Sequence, residues 1–216
     1  MTFKPRLELL IATHNAGKVR ELQQTLRELP LTLRYLAEFP DISTVEETGN
    51  TYEANAILKA LSYAEQTGIC ALGDDSGLEV DALGGKPGVL SARFGGENAS
   101  DQNRTEKLLR VLLPHRKGEI TARFICCIAF AGWQSSSTEP RTTKPRILNV
   151  STGTCEGAIA LEPRGTKGFG YDPIFIPSGY NETFGELSED VKGSLSHRAK
   201  ALSATRGFLT QFLRAT

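Results

Sequence analysis

Apolar positions along the chain recur with two alternating spacings, and this predicts strands interleaved with helices. Residues 7–12, Leu-Glu-Leu-Leu-Ile-Ala, make a short β-prone run, after which Val19, Leu22, Leu26 and Leu29 share one helical face. Residues 32–36 read as a second strand. Residues 51–63 read as a second helix, with Tyr52, Asn55 and Lys59 on a common face, and residues 70–73 as a short buried strand ending abruptly in acid. The glycine-rich stretch 84–88 marks a sharp loop, and residues 101–113 read as a helix closed by Pro114. Residues 121–131 and 146–160 resemble two long antiparallel strands, joined through 134–145 by a polar, mobile hairpin loop. A strand at 173–176 and a helix from about Ser196, with Leu202, Leu209 and Phe212 facing inward, complete the chain. The expected fold class is α/β: an elongated central mixed sheet flanked by helices, in two lobes with an active-site cleft between them.

A length of 216 residues suits this single two-lobed domain, and no internal repeat is apparent. Lys plus Arg and Asp plus Glu both number 25, so charge alone gives no basis for coating nucleic acid, and any anion site must be built locally. The N-terminus shows neither a signal-peptide apolar region nor a long span, which gives a cytoplasmic, non-membrane expectation. Cys70, Cys126, Cys127 and Cys155 lack metal or redox spacing and are expected to be reduced core thiols.

Two segments carry the clearest chemistry. In Thr13-His14-Asn15-Ala16-Gly17-Lys18 a strand ends, a polar turn follows, and a helix begins with a lysine in its first turn. Unpaired N–H groups and the dipole at a helix start favour an anion, and Thr13, Asn15 and Lys18 add side-chain donors. The segment is shorter than a Walker loop, and Asn15 is also an ordinary N-cap. In Gly73-Asp74-Asp75-Ser76-Gly77 the adjacent carboxylates repel unless a cation or donors compensate, which suits magnesium; the alternative is an acidic turn beside a hairpin. Alternation along a strand sends one aspartate toward the site and leaves the other to support the loop.

Glu46 and Glu47, ahead of the second helix, are further carboxylates able to complete a metal shell or to complement a helix start. Residues 165–173 place Phe169, Gly170, Tyr171 and Asp172 in a glycine-rich loop, where an aromatic ring stacks on a base or plugs the core. Lys192, His197 and Arg198 bring cations and an imidazole near the last helix start; His197 alone also reads as a surface residue at a helix start, but Arg198 beside it favours an anion or purine contact.

Taken together and in order, these segments resemble the non-canonical purine nucleoside triphosphate pyrophosphatases, often called inosine triphosphate pyrophosphatases. The resemblance runs from Leu9 to about Leu213. Its strongest words are Ala12-Thr-His-Asn-Ala-Gly-Lys18, Glu46-Glu-Thr-Gly49, Glu53-Ala-Asn-Ala-Ile-Leu-Lys59, Asp74-Asp-Ser-Gly77, Pro87-Gly-Val-Leu-Ser-Ala-Arg93, Gly168-Phe-Gly-Tyr-Asp-Pro173 and Ser196-His-Arg198. It implies a homodimer that hydrolyses ITP, dITP and XTP to monophosphate and pyrophosphate with magnesium. Residues 13–18 then bind the triphosphate with help from Lys59, Asp75 is proton acceptor and magnesium ligand, and Glu46 is a second ligand, with Glu47 one residue away as the alternative. Ser76, Phe169 to Asp172, Lys192, His197 and Arg198 line the substrate pocket by the same resemblance. His14 departs from it, standing where many relatives carry glycine, and the 134–145 loop is longer than in compact relatives. The competing readings are a pyrophosphatase for other modified nucleotides and a nucleotide-binding module without turnover.

Overall fold

The computed structural model describes residues 7–96, 99–116, 118–133 and 144–215. Its strands are β1 (Leu7–Ala12), β2 (Leu31–Tyr35), β3 (Cys70–Val80), β4 (Thr121–Gly132), β5 (Arg146–Ile159) and β6 (Phe175–Pro177). They form one six-stranded sheet in the order β2-β1-β3-β4-β5-β6. The sheet is mixed: β1 runs parallel to β2 and β3, and β5 runs antiparallel to β6. The helices are α1 (Ala16–Leu26), α2 (Tyr52–Thr67), α3 (Asp101–Val111), α4 (Glu189–Leu195) and α5 (His197–Ala215).

Contacts divide the chain into two compact units whose boundaries fall inside β3, β4, β5 and α5. Unit 1 comprises the described residues up to Asp75, Cys127–Thr152, and those from Ala201 onward; unit 2 comprises Ser76–Cys126 and Gly153–Lys200. In unit 1, Leu9, Leu10, Ile11 and Ala12 of β1 are all fully buried, as in a strand covered on both faces. Unit 2 is built around Phe124, Phe175 and Phe184, whose neighbouring rings lie 4.6 Å (Phe124 to Phe175) and 5.3 Å (Phe175 to Phe184) apart.

Helix α2 decides where the polar residues of unit 1 go. Thr51 caps its start by accepting from the Ala54 N–H at 3.1 Å, and Gly68, at φ 69°, ends it in the left-handed conformation. Its buried stripe of Tyr52, Asn55, Ala56, Lys59, Ala60, Tyr63 and Ala64 has helical spacing, so an amide and an ammonium are carried inward with the apolar residues. The helix lies directly against β3 at Gly73, where a Cβ would stand 2.2 Å from the Ala56 carbonyl oxygen and 2.7 Å from the Ala60 nitrogen. Gly73→Ala is therefore expected to destabilise the protein by about 2–3 kcal/mol, as overpacking against backbone does, with urea denaturation as the measurement. An unchanged midpoint would show that α2 is free to retreat.

Several elements differ from expectation. The strand expected at 70–73 continues to Val80, because hydrogen bonds and ion pairs compensate the acids that read as a turn, and burial of Leu78 and Val80 resumes beyond them. Pro173 belongs to a short 3-10 turn over Asp172–Ile174, so β6 begins only at Phe175. The third helix ends at Val111, with Pro114 in a further 3-10 turn, and α4, capped by Ser188, lies in a stretch the apolar pattern did not mark. Strands β4 and β5 are sheet neighbours, as the pattern implied. Of the expected 134–145 loop, residues 134–143 lie outside the described residues. All four cysteines are buried thiols outside any disulfide, and no described helix is long and apolar enough to cross a membrane.

Candidate active site

Unit 1 gathers three carboxylates and two ammonium groups around the Asp74-Asp75 step of β3. The pleat turns the two aspartates apart: Asp74 pairs with Lys18 of α1, while Asp75 faces α2, on the side where Gly73 admits that helix. Lys59 Nζ donates to the Asp74 carbonyl oxygen at 2.5 Å and to Glu47 Oε1 at 2.5 Å, and it lies 3.7 Å from Asp75 Oδ1. Asn55 donates to Asp75 Oδ2 at 3.0 Å. Both aspartates are at least 96% buried, with exposures of 0% for Asp74 and 4% for Asp75.

Burial pushes the Asp75 carboxyl up; Lys59 and Lys18 work against this, whereas Glu47 adds to it. Burial alone would lower the Lys59 ammonium, but Asp75 and Glu47, with Asp74, outweigh it and hold Lys59 above the ordinary lysine range. The group therefore contains a firmly protonated lysine beside a carboxylate that takes a proton more readily than usual. Of the two glutamates, Glu47 is the one brought to Lys59, and Glu46 is exposed. Among the described residues no cluster of three or more His, Cys, Asp and Glu could hold a metal by itself.

The 13–18 segment folds as a capped helix start. Asn15 accepts from the Lys18 N–H at 3.1 Å, and Thr13 Oγ1 accepts from the Asn15 N–H at 3.2 Å. His14, Asn15 and Ala16 are exposed and Gly17 is buried, while Lys18 extends from the first turn to Asp74.

Unit 2 carries the second constellation. Gly168 and Gly170 adopt φ of 76° and 64°, and a Cβ on Gly168 would meet Asp172 Oδ2 at 2.0 Å. This lets the loop wrap around Asp172, which accepts from the Phe169 N–H at 2.8 Å and from Lys192 Nζ at 2.6 Å. Half-buried Phe169 has Lys192 Nζ at 4.7 Å and the Arg198 guanidinium at 5.7 Å from its ring centre. Arg198 also donates to Ser76 Oγ at 2.8 Å, fixing the residue that follows Asp75 in the chain. Asp101, at the start of α3, accepts from the Gly170 N–H at 2.7 Å.

The two aromatics of this loop have different roles. Tyr171 is a core plug: it is buried, donates its hydroxyl to the Ser91 carbonyl at 2.9 Å, and burial raises its phenol. His197 is buried and stacks on Phe124 with centroids 4.7 Å apart. Sequence reasoning did not single out Asp101 or the bond from Asn55 to Asp75. Asn55 had left a signal, as a polar residue on the inward face of α2.

Comparison with known proteins places these segments in a shared framework. Residues 9–208 match the model of the Ham1 family. A dITP/XTP pyrophosphatase of Desulforamulus reducens is 46% identical over 205 residues, covering 95% of this chain and 96% of that protein. One of Geobacter sulfurreducens is 47% identical over 201 residues, covering 93% and 96%. The solved structure of a HAM1 protein from Coxiella burnetii superposes with a TM-score of 0.81 at 40% identity, covering 95% of this chain and 99% of that one. With a match this long and relatives this similar over nearly their whole length, the chain belongs to the Ham1 family.

Proposed function

We propose that this chain hydrolyses inosine, deoxyinosine and xanthosine triphosphates to the monophosphate and pyrophosphate, removing them from the nucleotide pool. The observation that carries the proposal is the convergence of Lys18 and Lys59 on the Asp74-Asp75 step, a charge arrangement suited to phosphate and to a hard cation. The names of relatives 46–47% identical support the choice of substrate.

Magnesium fits the donor set, because it is commonly held by one or two carboxylates plus phosphate oxygens and water. Asp75 would hold it with one of the Glu46-Glu47 pair, Glu47 being the one near Lys59. When bound, the ion supplies charge neutralisation on the phosphates. The chain's own residues supply the rest. Asp75, with its raised proton affinity, accepts the proton of the water that attacks the α-phosphorus; the new P–O bond replaces the one to the β-phosphate, and pyrophosphate leaves. Residues 13–18 and Lys59 bind the triphosphate and offset its charge. Phe169 offers the stacking surface, flanked by Lys192 and Arg198, with Ser76 bonded to Arg198. The same proposal includes a cytoplasmic homodimer, and sedimentation velocity tests the dimer.

Pyrophosphate release from ITP, dITP, XTP, ATP and GTP, each with magnesium and with EDTA, is the decisive assay. Rapid release from the first three with magnesium alone is expected. Binding of ITP without release would leave a nucleotide-binding module, and preference for another modified nucleotide would move the substrate class.

A further inference from the structure

We propose that Asn55 is a positioning residue for this reaction, its amide holding Asp75 at one end and the acidic loop of Glu47 at the other. The inference rests on the pyrophosphatase reading above. Asn55 is fully buried on the inward stripe of α2. Its Oδ1 accepts from the Gly49 N–H at 2.7 Å, and its Nδ2 donates to Asp75 Oδ2 at 3.0 Å.

These two bonds determine each other. A backbone N–H only donates, so Gly49 requires the oxygen end of the amide, which leaves the nitrogen for Asp75, where an ionised carboxylate needs a donor. The approach of the loop is equally specific: a Cβ at residue 49 would lie 2.7 Å from Asn55 Oδ1 and 2.8 Å from the Ala54 Cβ. Glu47, two residues before Gly49, is thereby tied to the strand that carries Asp75. Lys59, one helical turn after Asn55, approaches the other oxygen of Asp75 at 3.7 Å and Glu47 at 2.5 Å. Asp75 is thus held through both oxygens from α2. A residue that merely anchored the loop would need only an acceptor; the donor end at full burial is explained by Asp75.

Asn55→Asp keeps an oxygen for Gly49 and loses the N–H for Asp75 while adding an acid beside it, and Asn55→Ser, which adds no charge, is measured alongside it. In pyrophosphate release from ITP, kcat is expected to fall about 30-fold or more while KM moves less than about threefold. Calorimetric binding of ITP without magnesium is expected to stay within about threefold of the parent. A parental kcat, or a loss confined to KM, would overturn the proposal. Should Asn55→Asp not fold, Asn55→Ser is smaller and uncharged, and the same split is expected; a parental kcat in that variant also overturns it. A parent protein inactive on ITP, dITP and XTP defeats the pyrophosphatase reading and this inference with it. An active parent with an equally active Asn55→Asp defeats this inference alone.

Discussion

Asp75→Asn is expected to lower kcat for ITP by about 10²–10⁴-fold, the range for losing a positioned acid or base, while the melting temperature at neutral pH stays level or rises. The two effects share an origin. Asp75 is 4% exposed, and its carboxyl is pushed above the ordinary value of 3.8, first by burial and then by Glu47, against the pull of Lys59 and Lys18. Between 3.8 and the raised folded value, the folded state binds more protons than the unfolded chain, so stability falls as pH rises through that window. At neutral pH the ionised carboxylate therefore opposes folding, and an amide of the same shape removes that opposition. Lys59 keeps Glu47 as a partner in the variant, at 2.5 Å. Thermal denaturation at several pH values checks the sign: the advantage of the variant should shrink as pH falls toward the lower end of the window. A kcat within tenfold of the parent at saturating magnesium would remove Asp75 from the proton-accepting role.

Much of this site was legible because the residues involved break local rules. Lysine in the first turn of α1 is unfavourable to the helix dipole, and the structure shows Lys18 turned to Asp74. Two adjacent aspartates between glycines had to be compensated, and Lys18, Lys59 and Asn55 supply the partners. What could not be read was pairing across long separations. The turn-like composition of Gly73-Asp74-Asp75-Ser76-Gly77 hid a continuous β3, because strand propensity carries no information on which distant side chains will neutralise an acid. The two aromatics of the glycine loop have equal apolar character in sequence. Only the fold separates Tyr171, hydrogen-bonded in the core to Ser91, from Phe169, whose ring is flanked by Lys192 and Arg198. Helix α4 was missed for a related reason: its seven residues include a glycine and few apolar positions, so no periodicity emerges.

Lys59→Met should fail in the opposite manner to Asp75→Asn, losing both activity and stability. Methionine has similar length and fills the same space, so the change removes charge and donors with little loss of volume. The donors removed serve the Asp74 carbonyl oxygen and Glu47 Oε1, each at 2.5 Å, and the positive charge near Asp75 Oδ1 at 3.7 Å goes with them. Asp75 and Glu47 then repel, with Lys18 and Asn55 still compensating Asp75. Removing one partner from a buried ion pair costs roughly 3–5 kcal/mol, which urea denaturation at pH 7 would read directly. Lys59 stays charged well past neutrality, because Asp75 and Glu47 outweigh its burial, so its stabilising contribution is lost only as pH rises above the ordinary 10.5 and through the higher folded value. At the acid end, protonating Asp75 relieves the repulsion in the variant, and the gap to the parent should narrow as pH falls. Catalytic efficiency should drop by about 10²–10³-fold, the scale for removing one preorganised charge-stabilising donor. The double change Asp75→Asn with Lys59→Met gives the sharpest reading of the pair. If Lys59 stabilises the fold by compensating Asp75, neutralising the carboxylate should recover a large part of the lost stability without restoring turnover. An Asp75→Asn effect of the same size with and without Lys59 would show instead that Lys59 acts on the fold through Glu47 and the Asp74 carbonyl alone.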